Sequence, residues 1–229
     1  MRILAIETTA TAGSLAAARG GTLLAELPLS AHSGSARSLA PGLKQILEQV
    51  GWRPRDVELV AVAAGPGSFT GLRVGVTTAK TFAYCVGASV LGVDTLEVIA
   101  AAVPDGVEAL SVGLDAQRGE VVAQCFRRDA HGLLAPQGPW ALVPGSDWLA
   151  DLPRGTCVAG PVLRTLGTSA PEHVVLLDRQ YWFPTAAAVA AVALRRYEAG
   201  QRDDVWSLLP RYCRRSAAEE KREAMRRPS

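Results

Sequence analysis

Apolar positions in the first ninety residues follow two rhythms. Short runs at residues 3–8, 14–18 and 22–29, parted by turns at Gly13 and Gly20-Gly21, predict three strands in an antiparallel meander. Leu39, Leu43, Ile46, Leu47 and Val50 then recur at three- and four-residue steps, which predicts a helix over 39–50 with Pro41 in its first turn. Residues 59–64 are apolar without a break, as a strand buried on both faces requires. Gly65-Pro66-Gly67 ends that run, a second helix is expected over 72–86, and a strand over 89–93 completes the unit.

Beyond Pro104-Asp105-Gly106 the order begins again. Residues 110–115, 120–127 and 133–143 repeat the meander, with turns at Gln117-Arg118-Gly119 and Asp129-Ala130-His131-Gly132. Short strands are expected at 156–159 and 174–177, and an alanine-rich helix over 185–198 stops at Gly200. Such a repeat predicts an α/β protein of the actin-like ATPase (ribonuclease H-like) fold. Its two duplicated domains, 1–104 and 105–229, each hold a mixed sheet flanked by helices and face each other across a cleft. One larger α/β domain with an extended sheet is the alternative.

Composition narrows the classes. With 229 residues, 48% apolar and 20% charged, the chain can bury a sizeable core without disulfides or metal. A formal charge of +2 sets up no strong field toward nucleic acid or an anionic membrane. Cys85, Cys125, Cys157 and Cys213 are scattered, with no metal-ligand spacing, and read as reduced, mostly buried thiols. Glu7 inside the first apolar run argues against a signal peptide, and no apolar stretch approaches the ~20 residues of a membrane span, so a cytoplasmic protein without membrane contact is expected.

Candidate chemistry is sparse. The stretch Gly65-Pro66-Gly67-Ser68-Phe69-Thr70-Gly71 joins a buried strand to a helix N-terminus and could cradle an anion, but it lacks the lysine of a phosphate-binding P-loop. A tight turn with Ser68 or Thr70 capping the helix accounts for the same residues. His32, His131 and His173 are far apart, no nucleophile elbow is present, and no cofactor or metal is expected. Glu7, Asp94 and Asp115 near predicted strand ends are the best groups for a kinase- or transferase-like reading, against plain solvated strand ends. The stretch from Arg211 to Ser229 is basic and could touch RNA phosphates, although such charge runs usually face water.

The helix over 72–86 carries two stripes where a surface helix needs one. Leu72, Val76, Ala79, Ala83 and Val86 form the first; Gly71, Gly75, Thr78 and Phe82 form the second. Small residues four apart admit a close neighbour, so the second stripe is expected to receive either the 39–50 helix or a partner chain.

Gly65-Pro66-Gly67-Ser68-Phe69-Thr70-Gly71-Leu72-Arg73, with Gly75 and Ala79-Lys80, closely resembles the hallmark segment of the TsaB family, formerly called YeaZ. Ile3-Leu4-Ala5-Ile6-Glu7-Thr8-Thr9, Asp115-Ala116-Gln117-Arg118-Gly119-Glu120-Val121 and Leu209-Pro210-Arg211-Tyr212-Cys213-Arg214 extend the resemblance over nearly the whole chain. It implies an actin-like duplicated fold. It also implies a non-catalytic scaffold role beside TsaD, the subunit that transfers a threonylcarbamoyl group to adenosine 37 of tRNA, with TsaE, a small ATPase, completing the assembly. In that family the two first-domain helices contact TsaD or a second TsaB copy, and tRNA is met through the complex. On this basis Leu39, Leu43, Leu47, Gly71, Leu72, Gly75, Thr78 and Phe82 are expected at a partner interface. The metal-binding His-x-x-x-His pair of TsaD is absent from this chain. Glu7 stands where the family usually has aspartate, Val122 where it often has tyrosine, and Ser35-Ala36-Arg37 where His-Ser-Glu is common. The competing reading is an ATP-dependent kinase or transferase of the same fold, with Glu7 and Asp115 in the cleft.

Overall fold

Strand β1 (Arg2–Glu7) divides its side chains by parity, Leu4 and Ile6 to one face and Ile3 and Ala5 to the other. A computed structural model of the chain describes residues 1–30 and 34–214, the side chains of 34–36 excepted. Strands β2 (Ser14–Arg19) and β3 (Thr22–Pro28) extend β1 antiparallel on one edge. After helix α1 (Gly34–Gln49), β4 (Leu59–Gly65) joins its other edge in parallel; helix α2 (Phe69–Val86) follows, and β5 (Ser89–Asp94) closes the order β3-β2-β1-β4-β5. Strand β4 is flanked on both edges and covered on both faces, which is why its sequence is apolar throughout.

A short helix, α3 (Thr95–Ala101), leads into the second sheet. There β6 (Ala109–Asp115), β7 (Glu120–Arg128) and β8 (Leu134–Pro136) form the antiparallel meander, and β9 (Ala141–Pro144) pairs with the first part of β7. After α4 (Gly145–Ala150), β10 (Cys157–Ala159) lies parallel to β6; α5 (Leu163–Leu166) precedes β11 (Val175–Leu176) at the edge. The order β11-β10-β6-β7-β8 is that of the first sheet with each strand replaced by its counterpart, so the duplication read in the sequence is a duplication of topology. This is the actin-like arrangement of two mixed sheets flanked by helices.

The two faces of the first sheet are packed differently. Leu39, Leu43, Ile46 and Leu47 of α1 and Val76, Ala79 and Ala83 of α2 cover the Leu4 and Ile6 face. Against the other lies α6 (Ala186–Glu198), whose Ala186, Val189, Ala190 and Ala193 meet Ile3, Ala5, Ala16, Ala61 and Ala63. Small residues on both sides let the helix approach the strands closely. A boundary at residue 104 therefore separates the sheets in sequence, but α6 returns to pack on the first of them.

Several elements differ from the sequence reading. Helix α1 begins at Gly34, which puts Pro41 in its interior rather than its first turn. The single strand expected over 133–143 is two, β8 and β9. Helices α3, α4 and α5 were not anticipated, and α3 shows why. Leu96 and Ile99 enter the core of the second sheet while Val98 enters that of α6, so the helix is wrapped in apolar contacts and presents no one-sided stripe. The thiols are free, but Cys85 and Cys125 are exposed and the other two half-buried, not mostly buried as expected.

Candidate functional site

The strand ends that the duplication brings face to face enclose a cleft of about 1130 Å³. The first half contributes Thr9 to Thr11 beyond β1 and the Gly67 to Thr70 turn; the second contributes the β6–β7 turn from Leu114 to Arg118 and the residues around α5. Phe183, Tyr212, Cys213 and Arg214 complete the lining. Arg118, Arg164 and Arg214 outnumber Asp115 among the charged groups of this lining, which makes it basic.

At its rim the glycine-rich turn folds as a helix cap. The Ser68 side chain accepts from the Gly71 amide at 3.3 Å, and the Ser68 amide donates to the Thr9 carbonyl at 3.0 Å. Gly65 takes a φ of +117°, and a β-carbon there would lie 2.3 Å from the Arg211 carbonyl oxygen, so only glycine fits beneath the crossing C-terminal chain. The peptide between Gly65 and Pro66 is cis.

Each of the three candidate carboxylates serves its own backbone. Asp94 caps α3, accepting from the Leu96 and Glu97 amides, and Asp115 accepts from the Gln117 amide at 2.7 Å within its turn. Glu7 is wholly buried. Its Oε1 accepts from the Thr9 amide and hydroxyl, each at 2.5 Å, and from the Ala10 amide at 3.3 Å, while Oε2 has no partner. Burial pushes its pKa up to about 7 against the pull of these donors. The carboxylate curls back on its own chain instead of lining the cleft. Among the described residues no three His, Cys, Asp or Glu side chains gather as a metal site would require.

The expected partner-interface residues divide sharply. Leu39, Leu43, Leu47 and Leu72 are buried in the interior of the chain. Gly71 and Gly75 are also turned inward, onto the end of β1, whereas Phe82 of the same stripe packs on the core that α1 helps to form. A β-carbon on Gly71 would sit 1.8 Å from the Thr8 carbonyl oxygen, and one on Gly75 2.2 Å from the Thr8 hydroxyl. That hydroxyl donates to the Gly71 carbonyl at 2.8 Å, seating the helix on the strand. Thr78 and Phe82 stay half-exposed. The outer face of α2 exposes Thr70, Thr77, Thr81, Tyr84 and Cys85.

No acidic residue lies on α2, and both of its cations are held by the C-terminal chain. Arg73 lies over the Phe69 ring at 4.0 Å and donates to the Tyr212 hydroxyl at 3.0 Å. Lys80 donates to the carbonyls of Trp206 and Leu208 at 3.3 and 3.0 Å. Sequence inspection could not find this pairing, because more than 120 residues separate the partners. His32 and residues 215–229 of the basic stretch lie outside the described residues.

A family model described as TsaD, tRNA N6-adenosine threonylcarbamoyltransferase, matches residues 6–134. The tRNA threonylcarbamoyladenosine biosynthesis protein TsaB of Escherichia coli is 30% identical over 239 residues, covering 95% of this chain and 96% of that protein. Its namesake in Bacillus subtilis is 34% identical over 152 residues, 66% of each chain. The solved structure of YeaZ from Pseudomonas aeruginosa superposes with a TM-score of 0.78 at 24% identity, covering 92% of this chain and 99% of that one, and shares the fold.

Proposed function

Because the chain belongs to the TsaB family, we propose that it acts in forming threonylcarbamoyladenosine at position 37 of tRNA, as a non-catalytic subunit that docks and supports a TsaD-like transferase. The observation that carries this reading is the outer face of α2. Eighteen residues contain no acid, and both cations are occupied within the chain. What remains outward, beside the engaged Arg73 and Phe69, is an uncharged strip of Thr70, Thr77, Thr81, Tyr84 and Cys85 edged by Thr78 and Phe82. Interface cores are depleted in charge in this way, because charges must be desolvated on docking. Beside it α1 supplies the polar rim, with Lys44 and Glu48 paired at 3.7 Å. The engagement of Glu7, Asp94 and Asp115 within the fold supports a subunit without its own reaction. A TsaE-like ATPase completes the proposed assembly, and tRNA is reached through it.

Co-purification with the TsaD-like subunit, followed by reconstituted tRNA modification, tests the reading. Thr77 is exposed, so Thr77→Arg leaves the fold intact while placing a long charge on the strip. It is expected to raise the Kd for that subunit at least tenfold, a loss of about 1.4 kcal/mol, with an unchanged Tm. Undiminished binding by the variant would reject this face. Failure of the wild-type chain to bind or to support modification would reject the function. Loss of self-association instead would assign the strip to a second copy.

A further inference from the structure

Residues 208–214 pass from one half of the molecule to the other along the rim of the cleft. On the first half the segment is fastened at several points: the Arg211 amide donates to the Ala64 carbonyl at 2.7 Å, Lys80 holds the Leu208 carbonyl, the Leu208 side chain is buried in the core, and Tyr212 packs on Phe69 with ring centroids 4.8 Å apart while its hydroxyl accepts from Arg73. On the second half Cys213 packs on the core of β6 and β7, and Arg214 forms an ion pair with Glu120, the first residue of β7. The anchorages are one residue apart in the chain, too close to absorb movement of one half against the other.

From this we infer that residues 208–214 are a strap that fixes the opening of the cleft, with the Arg214–Glu120 pair as its tie to the second half. The other two crossings between halves run through α3 and through the residues leading to α6. Both are built into cores: α3 contributes to two of them, and α6 lies on the first sheet. Each continues into a packed helix, whereas among the described residues the strap meets the second half through Cys213 and Arg214. Breaking that tie leaves the first-half contacts in place and releases the halves to open, in the manner of a hinge. The inference stands apart from the proposed partner, since it concerns the free chain.

Spin labels carried by bio-orthogonal residues at Thr11 and Thr165, exposed on opposite walls of the cleft, report its width through their distance distribution. Glu120→Arg is expected to add a longer component, its ratio to the native one rising by up to about fivefold, the range that a partly exposed ion pair supports. The charge-swapped Glu120→Arg/Arg214→Glu protein is expected to restore the single native distance. Because the pair is partly exposed, thermal unfolding should shift little and confirm that the variants fold. An unaltered distance in Glu120→Arg, or a broadening that the swap does not reverse, would overturn the strap.

Discussion

Gly71→Ala is expected to destabilise the protein by at least about 3 kcal/mol, at or above the upper end for overpacking a tight site. The new methyl carbon would stand 1.8 Å from the Thr8 carbonyl oxygen, a backbone atom that no rotamer change can move, so α2 must lift from β1. Gly75→Ala meets the Thr8 hydroxyl at 2.2 Å, and that group can rotate away at the expense of its hydrogen bond to the Gly71 carbonyl. The expected cost there is about 1–3 kcal/mol, offset in part by the roughly 1 kcal/mol by which alanine favours a helix over glycine. Thr8→Ala leaves the Gly75 methyl a normal 3.5 Å contact, so it should rescue Gly75→Ala but not Gly71→Ala. Urea unfolding of the single and double variants measures this ordering. Gly21→Ala, in open space, serves as a control expected to lie within about 0.5 kcal/mol of wild type. Near-equal stability of all the variants would mean that the helix does not rest on Thr8. The same geometry makes a bulky substitution at Gly75 a test of folding rather than of docking.

Glu7→Gln is expected to stabilise the protein at alkaline pH and leave it unchanged in acid. Burial holds the native pKa near 7 against 4.5 for an ordinary, solvent-exposed carboxyl of the unfolded chain, so between these values the folded state binds more protons. The stability contributed by the neutral acid is fully present below pH 4.5 and is lost as the pH rises through about 7. The gap corresponds to roughly 3 kcal/mol as an upper figure. Glutamine keeps an acceptor for the Thr9 and Ala10 amides and cannot ionise. Denaturation curves for the two proteins should therefore nearly coincide at pH 4 and separate by pH 8.5, with the variant more stable. A separation independent of pH would show that folding leaves the Glu7 pKa unshifted.

Alternation and periodicity determined much of this protein before any contact was known. Ile3 to Ile6, the unbroken run in β4, the stripe of Leu72, Val76, Ala79 and Ala83, and the second meander after Gly106 are local patterns, and each is realised in the elements they predict. The Ser68 cap was legible for the same reason, since the hydrogen bond its side chain accepts from the Gly71 amide closes within three residues.

Partners distant in sequence were decided by the tertiary structure alone. Two glycines one turn apart announce a close approach but carry no mark of what approaches, and only the fold brings Thr8 to them. Helix α3 is too short and too thoroughly enclosed to leave a periodic trace. Glu7 resembles an available carboxylate until the sheet and its own turn close around it. The strap, which fastens Arg73 and Lys80 to a chain more than 120 residues away, exists only once both sheets are in place. Short-range order follows from side-chain spacing along the chain, whereas burial, charge state and the available surface follow from which faces meet.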